Sequence, residues 1–123
     1  MQNEIKKIWV ACSYKGLFYS EDGKIWKESN ISKGYFRSVY YDNGIWVACS
    51  SFNKGIYYSI DGKTWTQSNI SSGDFFSVYY GNGIWVAGSW SDKGIYYSTD
   101  GKTWKESNVT DGEFYSLYHS KNK

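Results

Sequence analysis

The chain is poor in the residues that build most catalytic and metal centres. It has one histidine, His119, one arginine, Arg37, and two cysteines, Cys12 and Cys49. Two cysteines are too few for a disulfide scaffold of 123 residues. A lone histidine near the C-terminus fits neither a Ser/His/Asp triad nor a zinc site. No apolar run approaches the ~20 residues of a membrane-spanning helix. The opening MQNEIKKIW lacks the apolar region of a signal peptide. No membrane insertion is therefore expected, and the compartment is left open between the cytoplasm and a phage- or surface-associated setting. Basic excess is slight, with 14 basic against 12 acidic residues, and the lysines are scattered. Nucleic acid is not an expected partner. Ala, Glu, Leu and Lys do not dominate, which excludes a coiled coil, and no segment shows helical periodicity.

What the chain does have is aromatic area, with 7 Trp, 13 Tyr and 6 Phe, and 13 glycines. A chain so rich in aromatics is not disordered. It is also repetitive. Copies begin at Trp9, Trp46 and Trp85, which divides residues 1–123 into repeats of about 9–45, 46–84 and 85–123. The second and third copies agree at 21 of 39 positions.

Each copy carries four strand signals, written in the second as FFSVYY, IWVACS, GIYYS and TWTQS. Asn43-Gly44 and Asn82-Gly83 mark tight hairpins that need positive φ. Asp22-Gly23, Asp61-Gly62 and Asp100-Gly101 close the next hairpin. The segment IWVAC is apolar on both faces, so it belongs to a sheet covered on both sides. Four strands in about 40 residues, repeated and stacked face to face, are the pattern of an all-β β-propeller with three four-stranded blade repeats.

The most tightly shared segments are YSEDGKIW, YSIDGKTW and YSTDGKTW. They resemble the Asp-box, or bacterial neuraminidase repeat, of pattern Ser/Thr-x-Asp-x-Gly-x-Thr-Trp, shortened here by one residue between Asp and Gly. The resemblance implies a structural box between the third and fourth strands of each blade, on the end opposite the sialidase catalytic site. Its members here are Ser20, Asp22, Gly23 and Trp26, then Ser59, Asp61, Gly62 and Trp65, then Ser98, Asp100, Gly101 and Trp104. The residues themselves support that role. The aspartate accepts main-chain N–H bonds in its own turn, glycine permits the turn, and the tryptophan ring is buried.

Sialidase chemistry is not expected. That family grips its substrate carboxylate with three arginines, and this chain has only Arg37. Other glycosidases need two paired carboxylates. Asp74, Asp92, Asp111 and Glu113 lie near loops but form no recognisable pair. No catalytic residue, metal or cofactor is assigned, and the expectation is a non-enzyme; glycoside hydrolysis is the one enzymatic alternative left. Calcium has no Asp-rich loop to support it. Cys12 and Cys49 occupy equivalent positions, with Gly88 in the third copy, and read as small buried apolar residues. The sequons at Asn30, Asn69 and Asn108 recur with the repeat and read as turn residues.

Departures from the repeat are the informative positions. The loop between the second and third strands reads SYKG, SSFNKG and SWSDKG, each with one aromatic: Tyr14, Phe52 or Trp90. In propeller topology this loop shares an end with the linkers SNISKGY, SNISSGD and SNVTDGE. The candidate ligand-binding set is therefore Tyr14, Phe52, Trp90, Asp92, Asp74, Glu113 and Arg37. Rings in polar loops stack on sugars or anchor protein partners. The expectation is a non-enzymatic, lectin-like glycan-binding module. The alternatives are a protein-interaction or virion-type scaffold and an orphan or engineered fragment without a ligand.

The strand count also bears on assembly. The first copy has three strand signals, and FYSLYH at 114–119 is one further first-strand signal. Three blades are too few to close a ring, since propellers begin at about four blades. A homodimer with exchanged terminal strands, giving a six-bladed ring, is the expected assembly.

Overall fold

The computed structural model describes residues 7–52, 54–90 and 93–120. Those residues are all-β, in three antiparallel sheets. The first contains β1 (Trp9–Ser13), β2 (Gly16–Ser20) and β3 (Lys27–Glu28). The second contains β4 (Phe36–Asp42), β5 (Ile45–Ser50), β6 (Ile56–Ser59) and β7 (Thr66–Gln67). The third contains β8 (Phe75–Gly81), β9 (Ile84–Ser89), β10 (Ile95–Ser98) and β11 (Lys105–Glu106). Each sheet is a meander whose strands lie side by side in chain order. Corresponding pairs keep one register. Val39 faces Ala48 and Val78 faces Ala87, and each first strand bulges at the same place, between Phe36 and Ser38 or Phe75 and Ser77.

The Asn-Gly hairpins form as their chemistry demands. Asn43 and Gly44 sit at φ 51° and 82°, and Asn82 and Gly83 at 50° and 83°. This left-handed pair matches the twist of the flanking strands.

The core lies between sheets. On β5, Ile45, Val47 and Cys49 face the third sheet and join Phe75, Val78, Trp85 and Trp104. Ala48, from the opposite face of the same strand, joins Leu17, Phe36 and Trp65 against the first sheet. A strand buried on both faces needs apolar residues at successive positions, which is why IWVACS does not alternate.

Both cysteines are free. Cys49 is fully buried, and burial pushes its thiol far above the ordinary range. Burial also raises the half-buried Cys12.

One expected strand does not form. Residues 114–119 carry a first-strand sequence yet pair into no ladder. They lie against the third sheet: Phe114 N–H donates to the Ser89 carbonyl at 2.8 Å, and the Tyr118 ring stacks on Tyr79 at 5.8 Å. A strand needs a partner strand, and here the segment has a packing face but no ladder. Correspondingly, β1 has only β2 as a hydrogen-bonded neighbour among the described residues.

Candidate functional site

The loops after β1, β5 and β9 leave their sheets at the same end as the linkers that enter β4 and β8. Gly16 N–H donates to the Gly34 carbonyl at 2.8 Å, and Gly55 N–H to the Gly73 carbonyl at 3.2 Å. The approach is so close that a Cβ on Gly55 would lie 2.0 Å from the Ile70 carbonyl oxygen. Glycine is required there, and loop and linker are locked into one surface.

That surface gathers most of the sequence-selected residues. Tyr14 and Phe52, 66% and 68% exposed, flank Tyr35, with ring centroids 6.5 and 5.4 Å from it. The Arg37 guanidinium lies 4.7 Å from the Tyr35 ring centre and 4.9 Å from that of Phe76. Phe76 in turn stacks on the exposed Trp90 at 6.3 Å and meets Tyr115 edge-on at 5.5 Å. The result is a continuous strip, Tyr14–Tyr35–Phe52, Arg37, Phe76–Trp90–Tyr115, running across all three sheets.

Arg37 is held firmly in this strip. Its Nε donates to Ser51 Oγ at 2.9 Å, while the two rings cover its planar faces. Among the described residues, its terminal nitrogens make no hydrogen bond. Phe52 sits at φ 60°, an unfavourable conformation for a bulky side chain. The position is one where the ring projects from the loop beside Tyr35.

Glu113 accepts a hydrogen bond from the Tyr115 hydroxyl, and that bond pushes the phenol above its ordinary range. The main-chain carbonyl of Asp74 accepts from Trp90 N–H at 2.8 Å, tying linker to loop. Asp92 lies outside the described residues. Among the described residues, no three His, Cys, Asp or Glu side chains come together as a metal site.

The Asp-box residues sit on the β2–β3, β6–β7 and β10–β11 hairpins, and their polar groups are taken up locally. Asp61 Oδ1 accepts from Lys63 and Thr64 N–H at 2.9 Å and from the Ser59 hydroxyl at 3.1 Å. Trp65 Nε1 donates to the Gly62 carbonyl at 3.1 Å. The first and third boxes repeat these bonds within a few tenths of an ångström. Main-chain bonds from Ile25 and Thr103 are the chief cause that lowers the Asp22 and Asp100 carboxyls. At Asp61 desolvation is the largest single effect and raises the carboxyl, but the bonds from Thr64, Lys63 and Ser59 together outweigh it.

Tyr35, Phe76 and Tyr115 were not anticipated as site residues. Phe76 and Tyr115 occupy the repeat position of Arg37, where each copy differs, and that variation was the available signal. Asn30 and Asn69 also do more than shape turns. Asn30 Nδ2 donates to the Trp65 carbonyl at 3.0 Å, and Trp65 N–H donates to Asn30 Oδ1 at 2.7 Å. Asn69 makes the same pair of bonds to Trp104. Each asparagine thus clamps its own sheet to the next.

Compared with protein-family models, curated proteins and solved structures, the chain finds no match.

Proposed function

We propose that the chain is a non-enzymatic, propeller-type binding module that recognises glycans through the aromatic strip. The carrying observation is Arg37, gripped between Tyr35 and Phe76 with no terminal donor bonded to a described residue, in a row with the exposed rings of Tyr14, Phe52 and Trp90. Aromatic faces stack on the C–H faces of sugar rings, and a fixed guanidinium donates to hydroxyl or carboxylate oxygens beside them. In this proposal the three sheets are blades of the Asp-box type. Two chains close a six-bladed ring, each completing the other's first blade with its terminal strand, and the strip lies on one mouth of that ring.

The test is a glycan array followed by calorimetry with any hit. Trp90→Ala and Arg37→Ala should each weaken binding at least tenfold; Trp90→Ala, an exposed site, should leave the thermal midpoint within about 2 °C, while Arg37→Ala also gives up the Ser51 bond and should lower it by a few degrees. Silence across the array, or affinity indifferent to both substitutions, refutes the proposal.

Rigid aromatic rings flanking an arginine are also the composition of protein-binding hot spots. Capture of a protein that survives excess sugar but is lost in Trp90→Ala would favour a scaffold over a lectin.

A further inference from the structure

The two sheet–sheet joints within the chain are built from one set of contacts, so each sheet carries two complementary half-joints. At the first joint Asn30 clamps Trp65, Lys63 Nζ lies 5.6 Å from the Tyr19 ring centre, and Gly62 abuts Val10 and Ile8. At the second Asn69 clamps Trp104, Lys102 Nζ lies 5.7 Å from the Tyr58 ring centre, and Gly101 abuts Val47 and Ile45. One half of each kind is left over. The third sheet ends in Asn108, Tyr97, Val86 and Ile84. The first sheet presents the main chain of Trp26, together with Lys24 and Gly23. Neither the Asn108 side chain nor the Trp26 main chain has this partner among the described residues. Trp26 is 39% exposed, while its equivalents Trp65 and Trp104 are buried.

A cavity of about 600 Å³ at the Asp-box end points to the same occupant. It is bounded by Ile8, Tyr41, Trp46, Ile60 and Asp61. The corresponding place in the next joint is filled. Trp85 touches Tyr80, the equivalent of Tyr41, and also Tyr40, a ring from the first strand of the preceding sheet, at 6.1 Å. Trp46 has Tyr41 at 4.9 Å but no counterpart of Tyr40 among the described residues. Tyr40 and Tyr79 are separated by one repeat and stack at 4.5 Å. One repeat further on is Tyr118, already stacked on Tyr79 and 83% exposed.

We infer that the cavity beside Trp46 is a socket for Tyr118 of a second copy of this chain, with Asn108 of that copy clamping the Trp26 main chain. This rests on the two-chain ring proposed above and fixes its joint. The register follows from the two complete sheets. Tyr40 faces Val47 and Tyr79 faces Val86, so Tyr118 of one copy faces Val10 of the other. Likewise Ser38 faces Cys49 and Ser77 faces Gly88, so Ser116 faces Cys12 across the joint. Facing residues in an antiparallel ladder bring their Cα atoms to about 4.5–5.5 Å, within disulfide reach. The same contacts made in the opposite sense close the pair, and β1 then gains its missing neighbour.

The test combines sedimentation mass with a register-specific cross-link. The wild-type chain at micromolar concentration should sediment at twice the 14.2 kDa of one chain. Mild oxidation of Ser116→Cys should give a covalent dimer that disappears when Cys12→Ser is added. The exposed substitutions Tyr118→Ala and Asn108→Ala should each raise the dissociation constant tenfold or more without changing the fold of the separated chain. A single-chain mass, or one that climbs with concentration into open oligomers, overturns both ring and socket. A dimer whose cross-link ignores Cys12, or forms within one chain, overturns the socket alone and leaves the ring standing.

Discussion

Removing the clamp side chain Asn69 should cost a large part of the chain's stability. In Asn69→Ala two hydrogen bonds are lost, of 2.7 and 3.0 Å, both to the main chain of Trp104. Trp104 is only 2% exposed, so water reaches the abandoned N–H and carbonyl poorly. Each neutral hydrogen bond contributes about 1 kcal/mol net, and an orphaned buried donor costs about 1–3 kcal/mol more. The sum, discounted for the partial exposure of Asn69, is about 2–3 kcal/mol. Urea slopes for chains of this size are about 2 kcal/mol per M, so the midpoint should fall by about 1–1.5 M. The assay is urea unfolding followed by the fluorescence of the seven tryptophans, at one fixed protein concentration. Asn30→Ala, which abandons the equally buried Trp65, should match it within about 0.5 M. A fall below about 0.3 M in Asn69→Ala, or a wide gap between the two variants, refutes the clamp as a principal joint between sheets.

Three further outcomes are expected. Gly55→Ala should prevent folding at ambient temperature, because its Cβ would meet the Ile70 carbonyl at 2.0 Å, whereas Gly44→Ala, with nothing within 4 Å of the new carbon, should cost only about 1–2 kcal/mol of backbone strain; circular dichroism of the two separates them. Asp22, Asp61 and Asp100 all have folded carboxyls held below their unfolded value of about 3.9, so their contribution is fully present above that value and drains away as pH falls through the folded values. The urea midpoint should thus be flat from neutral pH to about 5 and fall below about 4, less steeply in Asp100→Asn; a midpoint that rises on acidification contradicts the assignment. Finally, Cys49 should react with a thiol reagent only on unfolding, since it is fully buried with its pKa raised, and rapid labelling of two thiols in the native protein would refute that packing.

Much of the architecture is local enough to be read from the chain. The doubly apolar IWVACS required a sheet covered on both faces, and β5 divides its side chains between two cores. Asn-Gly specified the hairpins because only a left-handed pair fits that turn. The loop aromatics Tyr14, Phe52 and Trp90 stood out against the repeat. What escaped was whatever depends on how one sheet is set against the next. The Asn30 and Asn69 clamps reach 35 residues ahead, a separation that no local pattern encodes. Tyr35 and Phe76 join the strip through contacts between repeats: Tyr35 lies between Tyr14 and Phe52, Phe76 stacks on Trp90, and Arg37 bridges the two rings. The strand signal at 114–119 forms no ladder, because pattern reports what a segment is suited for, and pairing depends on what lies beside it.

The asparagine clamp has a consequence for how such a chain can change its length. Because each repeat holds both the asparagine that reaches forward and the tryptophan turn that receives it, a duplicated repeat arrives with its own joint already made. No compensating substitution is needed at either neighbour. The number of sheets can therefore vary by whole-unit gain or loss at little energetic cost inside the array, and selection on size acts mainly on whether the last asparagine finds a turn to hold.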